Sequence, residues 1–259
     1  MAAMTADLLS SPTLLLLLLF TGAVFALAGF VKGVIGLGLP TIAMGLLSLQ
    51  LAPSQAAALL VVPSFISNVW QLVGHPGLRA LLRRLATMLG GVCIGTWLGA
   101  GWLTGGPSRW AGAALGLALV AYALMGLLMK PWRLPPGQER LWSPLVGLAT
   151  GLVTAATGVF VIPAVPYLQA LGLEKESLVQ ALGLSFLVST LALAATLGGG
   201  GALPLPVLAA SVAALLPTLA GMALGQRLRR STRPERFKRW FFLGLLALGL
   251  TLALRALAA

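Results

Sequence analysis

Acidic side chains are nearly missing from this 259-residue chain: Asp and Glu number 5 against 17 Lys and Arg, and charged residues of all kinds make up 8%. A soluble domain needs roughly three times that share to cover its surface, so a free-standing globular protein is excluded. The one cysteine, Cys93, sits in an apolar run, and no intramolecular disulfide can form. The one histidine, His75, falls in "GHPG", which reads as a turn at a membrane edge. Asp7, Glu139, Glu174, Glu176 and Glu235 all lie in tails or connections, so no carboxylate or histidine relay crosses the apolar segments. So sparse a set of ligating and nucleophilic groups gives no metal cluster, nucleophile–base pair or P-loop, and "GLG" at 36–38 is too short to be a dinucleotide loop. Neither an enzyme nor a cofactor is expected.

What is present is hydrocarbon. Hydrophobic residues make up 59% of the chain, and the mean hydropathy is +0.99. Apolar runs cover 13–31, 38–48, 55–73, 81–104 and 108–129, then 143–157, 159–171, 177–197, 203–226 and 237–258. The longer ones suffice to cross about 30 Å of hydrocarbon as helices. The fold expected is an all-α, multi-pass membrane protein. Leu14 to Phe20 followed by Ala26-Leu27-Ala28 imitates a secretory signal, but residues 1–12 carry Asp7 and no Lys or Arg. The segment therefore reads as a retained first span. The net charge of +12 comes mostly from short connections between spans, a positive-inside pattern that calls for no nucleic acid.

The pattern restarts after the polar stretch "KPWRLPPGQERLW" at 130–142. Shifting the sequence by 122 places Gly29 on Gly151, Val31 on Val153, Gly36 on Gly158, Leu46 on Leu168, Leu49 on Leu171, Leu51 on Leu173 and Ser67 on Ser189. Two homologous repeats are expected, at 12–129 and 143–258, joined by a cytoplasmic linker at 130–142. Each has an interrupted first segment followed by three further transmembrane helices. If the interrupted segments enter and return, each half makes an odd number of crossings and the repeats are inverted. The basic connections at 74–84, 130–142 and 227–239 then share the cytoplasmic side, with both termini outside. If instead the segments cross once, the repeats are parallel; the charge pattern favours the inverted arrangement. Gly91, Gly95 and Gly99, Gly112 with Gly116, and Gly221 with Gly225 recur at the spacing that lets helices approach closely in lipid.

Helix interruptions expose backbone N–H and C=O groups, tolerable in a membrane only inside protein or beside a water-filled cavity. The breaks are expected at 32–40 and 154–163, facing inward. In "AGFVKGVIGLGLP" (28–40), Lys32 would add a full positive charge to the first break, where Gly33, Gly36 and Gly38 let N–H groups approach an anion. The other reading has Lys32 snorkel to headgroups at the membrane edge. In the second half the corresponding position is Thr154, with Thr157 nearby and Pro163 and Pro166 beyond. These hydroxyls either line the cavity or bond back to their own helix. Asn68, Gln71, Gln180, Ser185 and Ser189 lie in apolar runs, either as lining or as interhelical glue. Because no acidic residue lies nearby, water or a substrate is expected to solvate Lys32.

The stretches "GFVKGVIGLGLP", "VPSFISNVWQL", "TGVFVIPAVPYLQALGLEKESLVQALGLSF" and "GMALGQRLRR" resemble the TauE/SafE sulfite-exporter family, also called the 4-toluene sulfonate uptake permeases. The resemblance spans essentially the whole chain. The chain departs from the more usual glycine triplet after the first break by having Gly38-Leu39-Pro40. The resemblance implies a multi-pass inner-membrane permease for small organosulfur or related anions such as sulfite, a sulfonate or sulfoacetate. Export is the direction favoured by a negative cytoplasm. The alternatives are an uptake permease for a small organic anion and a non-transporting scaffold subunit. The partners on this reading are a small anionic substrate and the lipid bilayer, with a homodimer as an option.

Overall fold

The computed structural model describes residues 12–73, 77–129, 132–135, 137–229 and 234–258. Asp7, residues 74–76 of the "GHPG" stretch with His75, Lys130, Arg230 and Arg233 lie outside the described residues. Regular structure among the described residues is entirely helical: α1 (Pro12–Ile35), α2 (Leu39–Leu47), α3 (Pro53–Leu72), α4 (Leu78–Leu98), α5 (Ser108–Leu128), α6 (Glu139–Thr157), α7 (Ala164–Ala170), α8 (Lys175–Gly199), α9 (Leu205–Ala213), α10 (Leu215–Arg229) and α11 (Pro234–Ala258). Six stretches are long and apolar enough to span a bilayer: Leu15–Ile35, Pro53–Leu72, Ser108–Leu128, Lys175–Gly199, Leu205–Arg229 (α9 running on into α10) and Phe237–Ala258. Helices α4 and α6, of 21 and 19 residues, have similar length but begin on charged turns with Arg79, Arg83 and Arg84 or Glu139 and Arg140.

Glycine and proline decide where the helices stop. Helix α1 ends before Gly36 (φ +81°) and Gly38 (φ +109°), a left-handed backbone that side chains resist, and Pro40 opens α2. Helix α6 ends on Gly158 (φ +69°), and Pro163 precedes α7. The interruptions are therefore 36–38 and 158–163, shorter than expected. Lys32 and Gly33 lie within α1, and Thr154 and Thr157 within α6. A single mid-helix glycine costs only about 1 kcal/mol, so Gly33 does not end α1.

The helices pair through bare backbone. A methyl group on Gly29 or Gly33 would overlap the carbonyl of Thr218 or Met222, and one on Gly221 or Gly225 that of Ala26 or Phe30. The residue numbers rise together, so α1 and α10 run parallel. Gly91 and Gly95 meet Pro144 and Leu148 in the same way, while Gly147 and Gly151 meet Met88 and Val92, which makes α4 and α6 parallel. Helices α5 and α11 are antiparallel: Gly116 abuts Ala253, and Tyr122 meets Phe242 edge-on at 5.2 Å. So are α3 and α8, where Ser64 bonds Thr190 and Gly183 abuts Gln71. Gly112, expected at a helix interface, faces open space.

These directions, with the short connections, bring one set of helix ends together: the C-termini of α3, α5 and α10 and the N-termini of α4, α6, α8 and α11. Arg79, Arg83, Arg84, Arg140, Arg227, Arg229, Lys238 and Arg239 all lie on those end turns. The first turn of α1 and the last of α11 lie at the opposite end. The seven tryptophans divide between the two ends, Trp70, Trp132, Trp142 and Trp240 at the basic one and Trp97, Trp102 and Trp110 at the other, and all are exposed. Amphipathic rings take such positions at headgroup level. Between the bands, leucines such as Leu117, Leu191, Leu216 and Leu250 face outward where lipid tails would lie. Within α3, Pro63 lacks the N–H that would bond the Leu59 carbonyl; Ser211 of α9 donates to that carbonyl at 2.8 Å and accepts from Val62 N–H at 3.1 Å.

Gly151→Ala should destabilise the protein by about 1–3 kcal/mol, since Val92 backbone must move, whereas Gly90→Ala, facing open space, should be neutral or slightly stabilising. Thermal unfolding of the detergent-solubilised variants checks the contrast; equal midpoints would refute close α4–α6 packing.

Candidate functional site

Lys32 faces α3, one turn before the first interruption. It is 3% exposed, which removes the snorkelling reading. Its Nζ donates to Ser67 Oγ at 2.9 Å and to Asn68 Oδ1. The protein thus supplies acceptors that had been expected from water or a substrate. Ser67 was visible in the sequence only through its match to Ser189, and its spacing one residue before Asn68 is what puts both on the α1 side of α3.

The protons in this cluster can be assigned. A hydroxyl has one hydrogen. Ser67 Oγ gives its proton to the Ser64 carbonyl at 3.1 Å, and Thr190 Oγ1 gives its proton to the Phe186 carbonyl at 2.7 Å. The 3.0 Å contact between Ser64 Oγ and Thr190 Oγ1 is then donated by Ser64. Asn68 Nδ2 donates to Ser64 Oγ at 3.2 Å. Every donor therefore points away from Lys32, and only lone pairs face the amine. The line Lys32–Asn68–Ser64–Thr190 ties α1 to α3 and α3 to α8, and all four side chains are buried. No carboxylate bonds Lys32 among the described residues; the ion pair found there is Arg84–Glu139, at the exposed basic end.

Gln71 closes the first interruption. Its Nε2 donates at 2.8 Å to the carbonyl of Gly36, while its Oε1 is buried without a partner among the described residues. Gly38 caps α2, and its carbonyl accepts from Thr41 Oγ1 at 3.0 Å. Gly33 faces the other way, its missing side chain filled by Met222 and Gly225 of α10.

The second interruption is built from hydroxyls. Thr154 Oγ1 donates to the Thr150 carbonyl at 2.7 Å, the back-bonding reading. Thr157 Oγ1 donates to the Val153 carbonyl at 2.7 Å and accepts from Val159 N–H at 3.1 Å, so it caps the end of α6. Gly158 packs against Met44 of α2 and Ala57 of α3. No hydrogen bond joins Thr154 or Thr157 to the Lys32 cluster among the described residues. On α8, Gln180 is buried, and the hydroxyls of Ser185 and Ser189 are buried without partners among the described residues. No group of three or more His, Cys, Asp or Glu side chains is placed to hold a metal among the described residues.

The family model described as sulfite exporter TauE/SafE matches residues 21–252, nearly the whole chain and both interruptions. The chain belongs to the TauE/SafE family. It is a multi-pass helical membrane protein of a transporter family. No curated protein and no solved structure matches it.

Replacing Asn68 by Leu would leave the buried amine one acceptor short, at a cost of about 2–3 kcal/mol. The double variant Lys32→Met, Asn68→Leu should recover most of that loss. A double-mutant cycle of denaturant unfolding measures it; losses that simply add would mean that Lys32 does not depend on Asn68.

Proposed function

We propose that the protein is an inner-membrane permease that moves a small oxyanion of the sulfite or sulfonate class outward, with Lys32 as the charge the anion meets. The single observation that carries this reading is a buried lysine held only by neutral acceptors, beside an interrupted helix. An ammonium has three N–H donors, and Ser67 and Asn68 take two. The third serves the ligand. A charge at this depth costs about 3 kcal/mol; a scaffold would do better with methionine there. The unpartnered atoms Gln71 Oε1, Ser185 Oγ and Ser189 Oγ belong to the same pair of helices, α3 and α8. Two of them are hydroxyls that can donate to an oxyanion. On this reading Asn68, Gln71, Ser185, Ser189 and Gln180 surround the path, Gly36 and Gly38 give the backbone its turn, and Thr154 and Thr157 shape the second interruption. Gly33 serves packing. Outward movement fits a negative cytoplasm, which favours expulsion of one negative charge by about 2.3 kcal/mol per 100 mV.

The same proposal includes two inverted repeats, 12–129 and 143–258. Support comes from the glycine contacts. Gly29 meets Thr218 as Gly151 meets Val92, and Gly221 meets Ala26 as Gly95 meets Leu148. An offset of 122 relates α1 to α6, setting Gly29 on Gly151 and Ala26 on Leu148, and an offset of 126 relates α4 to α10, setting Val92 on Thr218 and Gly95 on Gly221. The pairing of α1 with α10 is thus repeated by α6 with α4. The basic end is then cytoplasmic.

In proteoliposomes, Lys32→Met should fold at least as well as wild type and lose sulfite efflux by tenfold or more, while Lys32→Arg retains part of it. Normal efflux from Lys32→Met would remove the main support for this function. Topology has its own check: reporters fused at Gly137 and at Ala259 should lie on opposite sides of the membrane, and finding them on one side would defeat the inverted arrangement.

A further inference from the structure

A cavity of about 140 Å³ opens at the basic end, away from the Lys32 cluster. Both interrupted segments line it: Leu37 from the first break, and Val165, Pro166 and Gln169 from α7. Helices α5 and α11 complete the wall with Tyr122, Met125, Lys238 and Phe242. Among the described residues Lys238 is the one charged side chain lining the cavity. It is exposed, with its Nζ 5.8 Å from the centre of the Phe242 ring. Phe242 in turn packs edge-on against Tyr122. The Tyr122 side chain is 2% exposed, and its hydroxyl is buried with no hydrogen-bond partner among the described residues. An unsatisfied buried hydroxyl costs about 1–3 kcal/mol, which is unexplained by packing alone.

We propose that this cavity is a second binding site, for an organic anion with a short apolar tail. Its anionic group pairs with Lys238 at the mouth. The tail lies against Leu37, Met125 and Phe242. Another oxygen of the same anionic group accepts from Tyr122 Oη, with the Gln169 amide as a further donor. The volume suits such a ligand, since a cavity of about 150 Å³ can hold a benzene ring. Bare sulfite leaves the apolar wall uncovered and binds more weakly. The inference concerns binding alone and does not rest on the transport role assigned to Lys32.

The test is calorimetric titration of the full chain in nanodiscs with propane-1-sulfonate, and with sulfite as the comparison. Propanesulfonate should bind more tightly than sulfite. Tyr122→Phe, which removes an orphan hydroxyl and keeps the ring, should fold normally and weaken propanesulfonate binding about tenfold. Lys238→Gln should weaken it severalfold at low salt and hardly at all at high salt. In the Lys32→Met background, which removes the charge of the lysine cluster, a propanesulfonate-binding event of the same affinity within twofold should remain. Unaltered binding in both Tyr122→Phe and Lys238→Gln overturns the site. So does binding lost in Lys32→Met and kept in Tyr122→Phe, which would put the ligand at the lysine cluster. If Lys32→Met transports normally while Tyr122→Phe still weakens binding, the transport role of Lys32 fails and this site stands.

Discussion

Hydrocarbon offers no hydrogen bonds, so a helix that stops inside a membrane must find partners for its freed backbone groups within the protein. Much of this structure follows from that constraint. Gln71 serves the Gly36 carbonyl and Thr157 the Val159 N–H, so each interruption is held by a side chain of the protein. Ser211 does the same for the carbonyl that Pro63 leaves open in α3. These bonds hold the backbone where the chain bends after α1 and α6.

The second constraint is that water cannot drive helices together in lipid, where association depends on close packing and a few polar contacts. That is why the glycines fall into facing sets. Gly29, Gly33, Gly221 and Gly225 let α1 and α10 touch backbone to backbone, and Gly91, Gly95, Gly147 and Gly151 do so for α4 and α6. The resulting rigid pairs flank the looser α3–α8 pair, where contact runs through Ser64, Thr190, Asn68 and Gln71. Polar groups have collected where packing by glycine stops. A path for an anion between α3 and α8 would need no disturbance of the glycine pairs.

The membrane class, the spans, the positions of the breaks to within a few residues and the gathering of basic ends were legible, because each depends on composition or on a local signal such as Gly-x-Gly before proline. The polar contacts were less so. Lys32 and Asn68 were both visible as polar residues in apolar runs, but their bond, 36 positions apart, depends on how α1 rotates against α3. Gly33 looked like part of a flexible break because it lies next to Lys32, yet its role is set by α10, nearly two hundred residues later. Thr154 and Thr157 could not be told apart from lining residues, since a back-bonded hydroxyl and a ligand-facing one have the same sequence. Tyr122 carried no signal at all: its surroundings are apolar, and only the lack of a partner makes it notable.

On the proposed repeat, the offset of 122 sets Lys32 against Thr154 and the pair Ser67 and Asn68 against Ser189 and Thr190. The first half therefore holds a charge with an amide where the second has only hydroxyls. This asymmetry has a physical basis. Two buried ammonium groups across one path would repel each other, and each would carry its own desolvation cost of about 3 kcal/mol. On the proposed function, one cation facing Ser189, the opposing hydroxyl whose proton is not already given to a backbone carbonyl, would offer an anion a charge on one side and a neutral donor on the other. On that reading the combination would bind without holding too tightly, because a hydroxyl releases a ligand to water more readily than a second ammonium would. A chain that must let its anion go as well as take it up is better served by one lysine than by two.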